Sequence, residues 1–366
     1  MKKTLLIIVS AAVFTLLIFF TQKKEAQVMP EDIEPVDIQG HEIIAQKLQV
    51  PWSIAFLPDG DLLVTERSGI LRVIGQNPKE IFVSEVVETG EGGLLGLALH
   101  PEYERNQYIY VYYTTVRGKE IINTVMRYVF DGTVLRDQKN IIEAIPGGQN
   151  HNGGRIAFGP DGMLYITTGD AGLERLAQDT RSLAGKILRV HEDGSIPRDN
   201  PFGNAVYSYG HRNPQGITWD SEGALWETEH GRSGVASGYD EINLIEKGAN
   251  YGWPLIEGDE TREGMKAPYI HSGSKNTWAP SGIAYHNGYL YFVGLRGRAV
   301  YTVAVSSAEE QKKEVKEYFK DTYGRLRSIA FDTKGNLYIG TSNTDGRGDP
   351  KTEDDILLKL PIPLSQ

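Results

Sequence analysis

The 366-residue chain contains no cysteine. This excludes disulfides, thiolate-bound zinc and iron–sulfur centres, a cysteine nucleophile and lipid attachment through an N-terminal cysteine, so any metal has to be held by oxygen or histidine. Basic charge is scarce too: 38 Lys and Arg stand against 48 Asp and Glu, a net charge of −10. No sequence-wide positive field is available for nucleic acid, which is not an expected partner. A long helical apolar period is missing, which argues against Rossmann and TIM-type architectures, and there is no HExxH, Walker A or GxSxG signature. Gly90-Glu91-Gly92-Gly93-Leu94-Leu95-Gly96 misses a GxGxxG dinucleotide loop by one position.

The 41 glycines, and 19 tyrosines against 11 phenylalanines, point instead to many tight turns between short aromatic strands. At the N-terminus Lys2 and Lys3 precede an apolar run of 17 residues, Thr4 to Phe20, that ends at Thr21-Gln22-Lys23-Lys24. Residues 1–24 read as a signal peptide or a membrane anchor, since the run exceeds a usual signal core and reaches the lower length limit of a spanning helix. Glu25 to Gly40, with acids and two prolines, reads as an acidic linker. Without residues 1–24, 34 basic residues face 48 acidic ones, a net charge of −14. The expectation is a folded part at 41–366, secreted or anchored on the outer face of the cytoplasmic membrane, with the membrane met only through the N-terminal segment.

Six times the chain repeats one phrase: small residue, aliphatic, small residue, aromatic or Leu, a turn, then a β-rich segment. It reads Ser53-Ile54-Ala55-Phe56, Gly96-Leu97-Ala98-Leu99, Arg155-Ile156-Ala157-Phe158, Gly216-Ile217-Thr218-Trp219, Gly282-Ile283-Ala284-Tyr285 and Ser328-Ile329-Ala330-Phe331. The copies are spaced 43, 59, 61, 66 and 46 residues apart, a mean of 55. Four short strands and their turns fill such a unit, so the expected fold is all-β, a six-bladed β-propeller. Asp59-Gly60, Asp161-Gly162, Glu222-Gly223, Asn287-Gly288 and Lys334-Gly335 fall in the hairpin turns, where glycine supplies positive φ. The longer middle steps predict extra loops in the second to fourth units, a usual place for a site.

A further set of segments resembles the soluble quinoprotein glucose dehydrogenase and aldose sugar dehydrogenase family, also called glucose/sorbosone dehydrogenases. They are Gly92-Gly93-Leu94-Leu95-Gly96, Asn150-His151-Asn152-Gly153-Gly154-Arg155, Gly210-His211-Arg212-Asn213-Pro214-Gln215-Gly216, Asp240-Glu241-Ile242-Asn243, Gly248-Ala249-Asn250-Tyr251-Gly252-Trp253-Pro254 and Gly324-Arg325-Leu326-Arg327. They lie in order along essentially the whole predicted folded part. The resemblance implies a six-bladed propeller, which the repeats give independently, and an enzyme that binds pyrroloquinoline quinone (PQQ) and Ca²⁺. The implied reaction oxidises the anomeric hydroxyl of an aldose to a lactone, hydride passing to the quinone and electrons then to an external acceptor.

Residue by residue, the resemblance makes His151 the general base, a task suited to imidazole because its pKa lies near the working pH. Asn150, also a cofactor neighbour, stands where a relative has an orienting Asp, so the expectation is a His151 without a charged partner. Arg212 and Asn213 resemble the pair that contacts the quinone oxygens, Arg212 also stabilising developing negative charge. Arg325 and Arg327 are two apart and share one face of a strand; like charges so placed call for an anion between them, supplied by cofactor carboxylates or by acidic loops of the domain. Arg296 aligns with a family lysine. Glu91 stands where the family commonly has glutamine, and a carboxylate facing an anionic quinone is unfavourable unless an arginine pairs with it. Gly231 and Arg232 match the family's carbonyl ligands to calcium, and Glu241 and Tyr251 a second calcium site. Trp278 and Tyr285 are candidate aromatic walls, Tyr285 being better read as core.

Two other readings stay open: a calcium-dependent lactonase-type propeller, which needs acidic and Asn side chains around a channel metal, and a non-catalytic extracellular propeller that binds a carbohydrate or protein. Glu91, Asn150 and Arg232, the departures from the family pattern, keep the latter in view.

Overall fold

Each repeated phrase forms the two innermost strands of a four-stranded antiparallel sheet, and six such sheets make the ring. The computed structural model describes residues 41–233, 238–305 and 314–361. The segments expected at 1–24 and 25–40 lie outside the described residues, and among those described no helix is long and apolar enough to cross a membrane. Strand β1 (Glu42–Ala45) is followed by the first blade, β2 (Pro51–Phe56), β3 (Leu62–Glu66), β4 (Ile70–Ile74) and β5 (Lys79–Phe82). The second holds β6 (Leu94–Leu99), helix α1 (Tyr103–Asn106), β7 (Tyr108–Arg117), β8 (Glu120–Phe130) and β9 (Leu135–Pro146). The third is β10 (Ile156–Phe158), β11 (Leu164–Thr168), β12 (Lys186–Val190) and β13 (Val206–Tyr209). The fourth is β14 (Pro214–Trp219), β15 (Leu225–Glu229), β16 (Glu241–Ile245) and β17 (Ile270–His271). The fifth is β18 (Pro280–His286), β19 (Tyr289–Gly294), β20 (Val300–Ala304) and β21 (Val315–Tyr318). The last contains β22 (Leu326–Phe331), β23 (Leu337–Thr341) and β24 (Leu357–Leu360), and takes β1 as its outer strand.

That exchange closes the ring: Glu42 pairs with Lys359 and Ile43 with Leu358, covering the edge of β24 that would otherwise be open to another chain. The second strand of each blade is sandwiched between neighbouring sheets, which is why β3, β11, β15 and β23 are buried along their full length instead of alternating. The core is divided accordingly. One apolar cluster joins the first and second blades around Leu63, Leu97 and Val111, and another joins the fifth and sixth around Val293, Leu326 and Ile339. The same arrangement fills every other blade junction.

Gly60, Gly162, Gly223, Gly288 and Gly335 all have positive φ, between 74° and 94°, as the hairpin turns require. The extra length of the middle units takes two forms. In the second blade it is mostly strand, with β7, β8 and β9 of 10, 11 and 12 residues, and only in the third and fourth is it mainly loop.

All these turns lie at one end of the ring. The other end is built from residues entering each innermost strand and residues leaving each second strand. There the register shifts at the start of β2, β6, β14, β18 and β22, and such bulges re-aim side chains at the rim.

Candidate active site

Six loops therefore converge on this bulged end: those before β6, β10, β14 and β22 carry Glu91, His151, Arg212 and Arg325, and those after β15 and β19 carry Gly231 and Arg296. Glu91, Asn150, His151, Arg212, Gly231, Arg232, Arg296 and Arg325 line one cavity of about 530 Å³. Beneath it a narrower cavity of about 180 Å³ descends between Trp52, Glu91, Gln215, His230, Arg327 and Asp345. Asn213 is buried against the loop of His151, its Oδ1 accepting the Gly153 N–H at 3.0 Å. A larger groove of about 1010 Å³ lies at the opposite end, among the hairpin turns, away from His151.

His151 adopts φ 58°, a left-handed backbone that costs a non-glycine residue on the order of 1 kcal/mol. Its N–H donates to Glu91 Oε2 at 3.0 Å and its carbonyl accepts the Ala171 N–H at 3.1 Å. The chain must pass close by, and position 169 has to be glycine, because a Cβ there would stand 1.9 Å from the His151 carbonyl oxygen. The side chain meets Asp170: Nδ1 lies 2.7 Å from Oδ1 of this fully buried carboxylate. Asp170 is itself fixed by Trp253 Nε1–H on Oδ2 at 2.8 Å and by Gly172 N–H on Oδ1 at 2.7 Å, while its own N–H donates to the Arg212 carbonyl at 2.8 Å.

The absence of a charged orienting partner, expected from Asn150, is thus corrected: the carboxylate comes from the loop after β11 instead of the residue before the histidine. An acceptor at Nδ1 holds the proton there and leaves Nε2 able to take another. Asn150 is exposed at the cavity rim, where its Oδ1 accepts from Arg347 Nη2 at 3.4 Å.

Arg212 is buried beside Trp253, with its guanidinium carbon 5.3 Å from the ring centroid, and donates to Ser233 Oγ at 3.0 Å and the His230 carbonyl at 3.4 Å. Burial lowers its pKa, opposed by the charges of Asp170, Glu229 and Glu91. Glu229 orders this turn from below, accepting the Arg212 N–H and standing 2.9 Å from Nδ1 of His211, which stacks on Tyr251. Three buried polar atoms around the cavity have no hydrogen-bond partner among the described residues: Arg212 Nε, Asn213 Nδ2 and His230 Nε2. Burial pushes His230 down to about 4, so it is neutral near pH 7.

Arg325 and Arg327 do have an anion between them, and it belongs to the protein. Asp345 Oδ2 accepts Arg325 Nη2 at 2.7 Å, its Nε at 2.9 Å and Arg327 Nη2 at 3.4 Å. Burial lowers Arg327 to about 10 despite that partner. Deeper still, the guanidinium of Arg155 lies 4.1 Å over the Trp52 ring and donates to Ser53 Oγ, the Trp52 carbonyl and the Gln215 carbonyl, tying three blades together. Trp278 and Tyr285 are half-buried and pack on the core between the fourth and fifth blades.

The oxygen-rich positions fall in the fourth blade. Asp240 accepts the Gly231 N–H at 2.9 Å and, on its other oxygen, N–H groups of Trp278 and Ala279, which orders the loop that presents the 231 and 232 carbonyls. The Arg232 side chain turns outward to Glu257 at 2.8 Å. Across the sheet Glu227 pairs with Asn243 and Glu229 with Glu241. Burial and the neighbouring Glu229 push Glu241 up to about 8, and burial also holds Glu227 well above the usual carboxylate range; Glu227 Oε1 and Asn243 Oδ1 are buried acceptors with no donor among the described residues. Oxygen donors in such excess suit a hard cation. The Tyr251 hydroxyl is committed to the Leu244 carbonyl at 2.6 Å, leaving that residue only its own carbonyl to offer.

Asp170, Asp345, Glu229 and Arg347 were not singled out in the sequence. Asp170 and Asp345 nevertheless share a signal, since each lies just past a second strand of the repeat, in Thr168-Gly169-Asp170 and Ser342-Asn343-Thr344-Asp345.

Fold and site together define a six-bladed propeller with an arginine-rich polar funnel and a His–Asp pair at one end of the ring. The chain belongs to the glucose/sorbosone dehydrogenase family, whose model matches residues 48–358. It is similar to the aldose sugar dehydrogenase YliI of Escherichia coli strain K12, 32% identical over 341 residues that cover 83% of this chain and 90% of that one. Quinoprotein glucose dehydrogenase B of Acinetobacter calcoaceticus is 35% identical over 273 residues, covering 64% of this chain and 56% of that one. Among solved structures, the PQQ-bound form of aldose sugar dehydrogenase from Streptomyces coelicolor matches with a TM-score of 0.81 and 40% identity, covering 88% of this chain and 97% of that one.

Proposed function

We propose that this protein is a PQQ-dependent aldose dehydrogenase that oxidises the anomeric hydroxyl of a sugar to a lactone. The observation that carries the reading is the set of unpartnered buried atoms Arg212 Nε, His230 Nε2 and, next along the chain from Arg212, Asn213 Nδ2, beside a cavity lined by Arg212, His230 and His151, the histidine being held from behind by the buried Asp170. Two buried donors there fit the carbonyl and carboxylate oxygens of an orthoquinone, and a cavity of this size fits a small ligand. Arg212, Asn213, Arg296, Arg325 and Arg327 would hold the cofactor, and the carbonyls of Gly231 and Arg232 its calcium. When bound, the quinone supplies the two-electron acceptor for the hydride leaving the anomeric carbon, and calcium polarises its carbonyl.

The chain's own part is proton transfer and electrostatics. His151 Nε2 takes the hydroxyl proton as the anomeric C–O becomes a carbonyl, and the buried Asp170 carboxylate stabilises the imidazolium that results. Arg212, desolvated against Trp253, presents fixed positive charge to the same cavity, where it is stronger than in water. Glu241, Glu227 and Asn243 would hold a second, structural calcium.

Arginines rather than acids dominate the funnel, which supports this reading over a lactonase-type metal ring. The lysine-flanked apolar run supports an extracytoplasmic location, checked by cell fractionation. The deciding experiment loads the purified protein with PQQ and Ca²⁺ and follows dye reduction by aldoses. Turnover that His151→Ala abolishes without loss of PQQ binding supports the proposal; no PQQ binding at micromolar concentration overturns it, and binding without turnover points to the non-catalytic module.

A further inference from the structure

The carboxylate of Glu91 makes two contacts at once. Oε2 accepts the backbone N–H of His151 at 3.0 Å, and Oε1 accepts Nη1 of Arg347 at 2.7 Å. Arg347 comes from the loop between β23 and β24 of the sixth blade, while Glu91 precedes β6 of the second and Asn150 precedes β10 of the third. One side chain thus reaches across the rim, touching Asn150 as well, and it borders the 180 Å³ and 530 Å³ cavities and an adjoining one of about 520 Å³. Its root is fixed, because the Arg347 N–H donates to Asp345 Oδ1 at 2.9 Å, on the carboxylate whose other oxygen holds Arg325 and Arg327. Burial raises the pKa of Glu91, but the charge of Arg347 and the N–H of His151 outweigh it, so the net shift is downward and Glu91 stays ionised.

An ionised carboxylate on the wall of a cavity meant for a polyanion is repulsive unless a cation is paired with it. We propose that Arg347 is the residue that permits an acid at position 91: it neutralises Glu91 toward an anionic cofactor and, through Glu91, positions the left-handed loop that carries His151. Arg347 is in this sense a positioning residue that sets cofactor retention. The inference rests on the reading of the cavity as a PQQ site.

The test is a fluorescence titration of the apoprotein with PQQ in the presence of Ca²⁺, comparing wild type, Arg347→Ala, Arg347→Lys, Glu91→Gln and the Glu91→Gln/Arg347→Ala pair. Arg347→Ala is expected to weaken binding about tenfold or more, the loss of a compensating charge beside an anion. Glu91→Gln keeps an oxygen acceptor for the His151 N–H and removes the charge, so the double variant recovers to within about threefold of wild type, a non-additivity that marks coupling. Arg347→Lys, which keeps the charge, stays close to wild type. Unchanged binding by Arg347→Ala, or a double variant as weak as Arg347→Ala alone, overturns the proposal while leaving the PQQ reading intact; a wild type that does not bind PQQ removes both. Hydrogen exchange of the apoprotein over residues 148–155 supplies a readout without cofactor: it accelerates in Arg347→Ala, and unchanged exchange there overturns the positioning role.

Discussion

Nδ1 of His151 lies 2.7 Å from Oδ1 of Asp170, two residues that flank the innermost hairpin of the third blade at its open end. His151 precedes β10, Asp170 follows β11, and antiparallel pairing of these strands brings the two loops side by side. The contact gives the proposed base a defined tautomer and a buried counter-charge.

Replacing Asp170 with Asn keeps the shape and removes the charge. The expected result is a fall in kcat of about 10²–10⁴, because the amide no longer stabilises an imidazolium or enforces the tautomer. PQQ affinity should change little. Steady-state kinetics with a separate PQQ titration checks both, and an unaltered kcat would remove Asp170 from the proton-transfer pathway.

Asp345 is buried between Arg325 and Arg327, so Asp345→Asn leaves two desolvated guanidinium groups facing each other. Unfolding free energy should fall by roughly 3 kcal/mol, the scale for removing one partner of a buried pair. Sulfate or another oxyanion should recover part of the loss. Denaturant titration with and without sulfate decides, and a variant as stable as wild type would show that the pair needs no internal anion.

Lys186 is buried, and its Nζ donates to the carbonyls of Leu176, Ala177 and Ala184 at 2.7, 3.0 and 2.6 Å, closing the loop after Asp170. Burial lowers it from 10.5 to about 7. Between those values the unfolded chain holds a proton that the folded chain has released, so this group adds stability as pH rises from about 7 to 10.5, by up to ~1.4 kcal/mol per pH unit. Below pH 7 the cost of burying the charge is fully present. Urea unfolding at pH 7, 8 and 9 should show wild type gaining on Lys186→Met, and parallel pH dependences would refute the assignment.

Deleting residues 41–46 removes the strand that covers β24. An exposed edge pairs with other chains, so the truncated protein should lower its Tm by at least ~2–4 °C and form concentration-dependent oligomers. Thermal scans and size-exclusion chromatography test this; a monomer of unchanged Tm would mean that β1 contributes nothing to closure.

Much of this architecture is written in local pattern. The six repeated phrases are the inner hairpins, their glycines sit at positive φ in the turns, and strand alternation with tight turns needs only neighbours in sequence. His151, Arg212, Asn213, Arg325 and Arg327 were singled out because they fall in compact runs that resemble a family's motifs, and those runs lie at or just before the start of an innermost strand.

The partners that give those residues their chemistry were decided by the tertiary structure. Asp170 is 19 residues from His151, Asp345 is 20 from Arg325, and Arg347 is 256 from Glu91. A chain read in order marks Glu91 as an uncompensated acid and Asn150 as a missing orienting charge. Only ring closure brings the sixth blade against the first, and with it Arg347 to Glu91; only hairpin pairing brings Asp170 to the histidine. Charge compensation in this site depends on distance in space, which sequence spacing does not encode across loops from different blades.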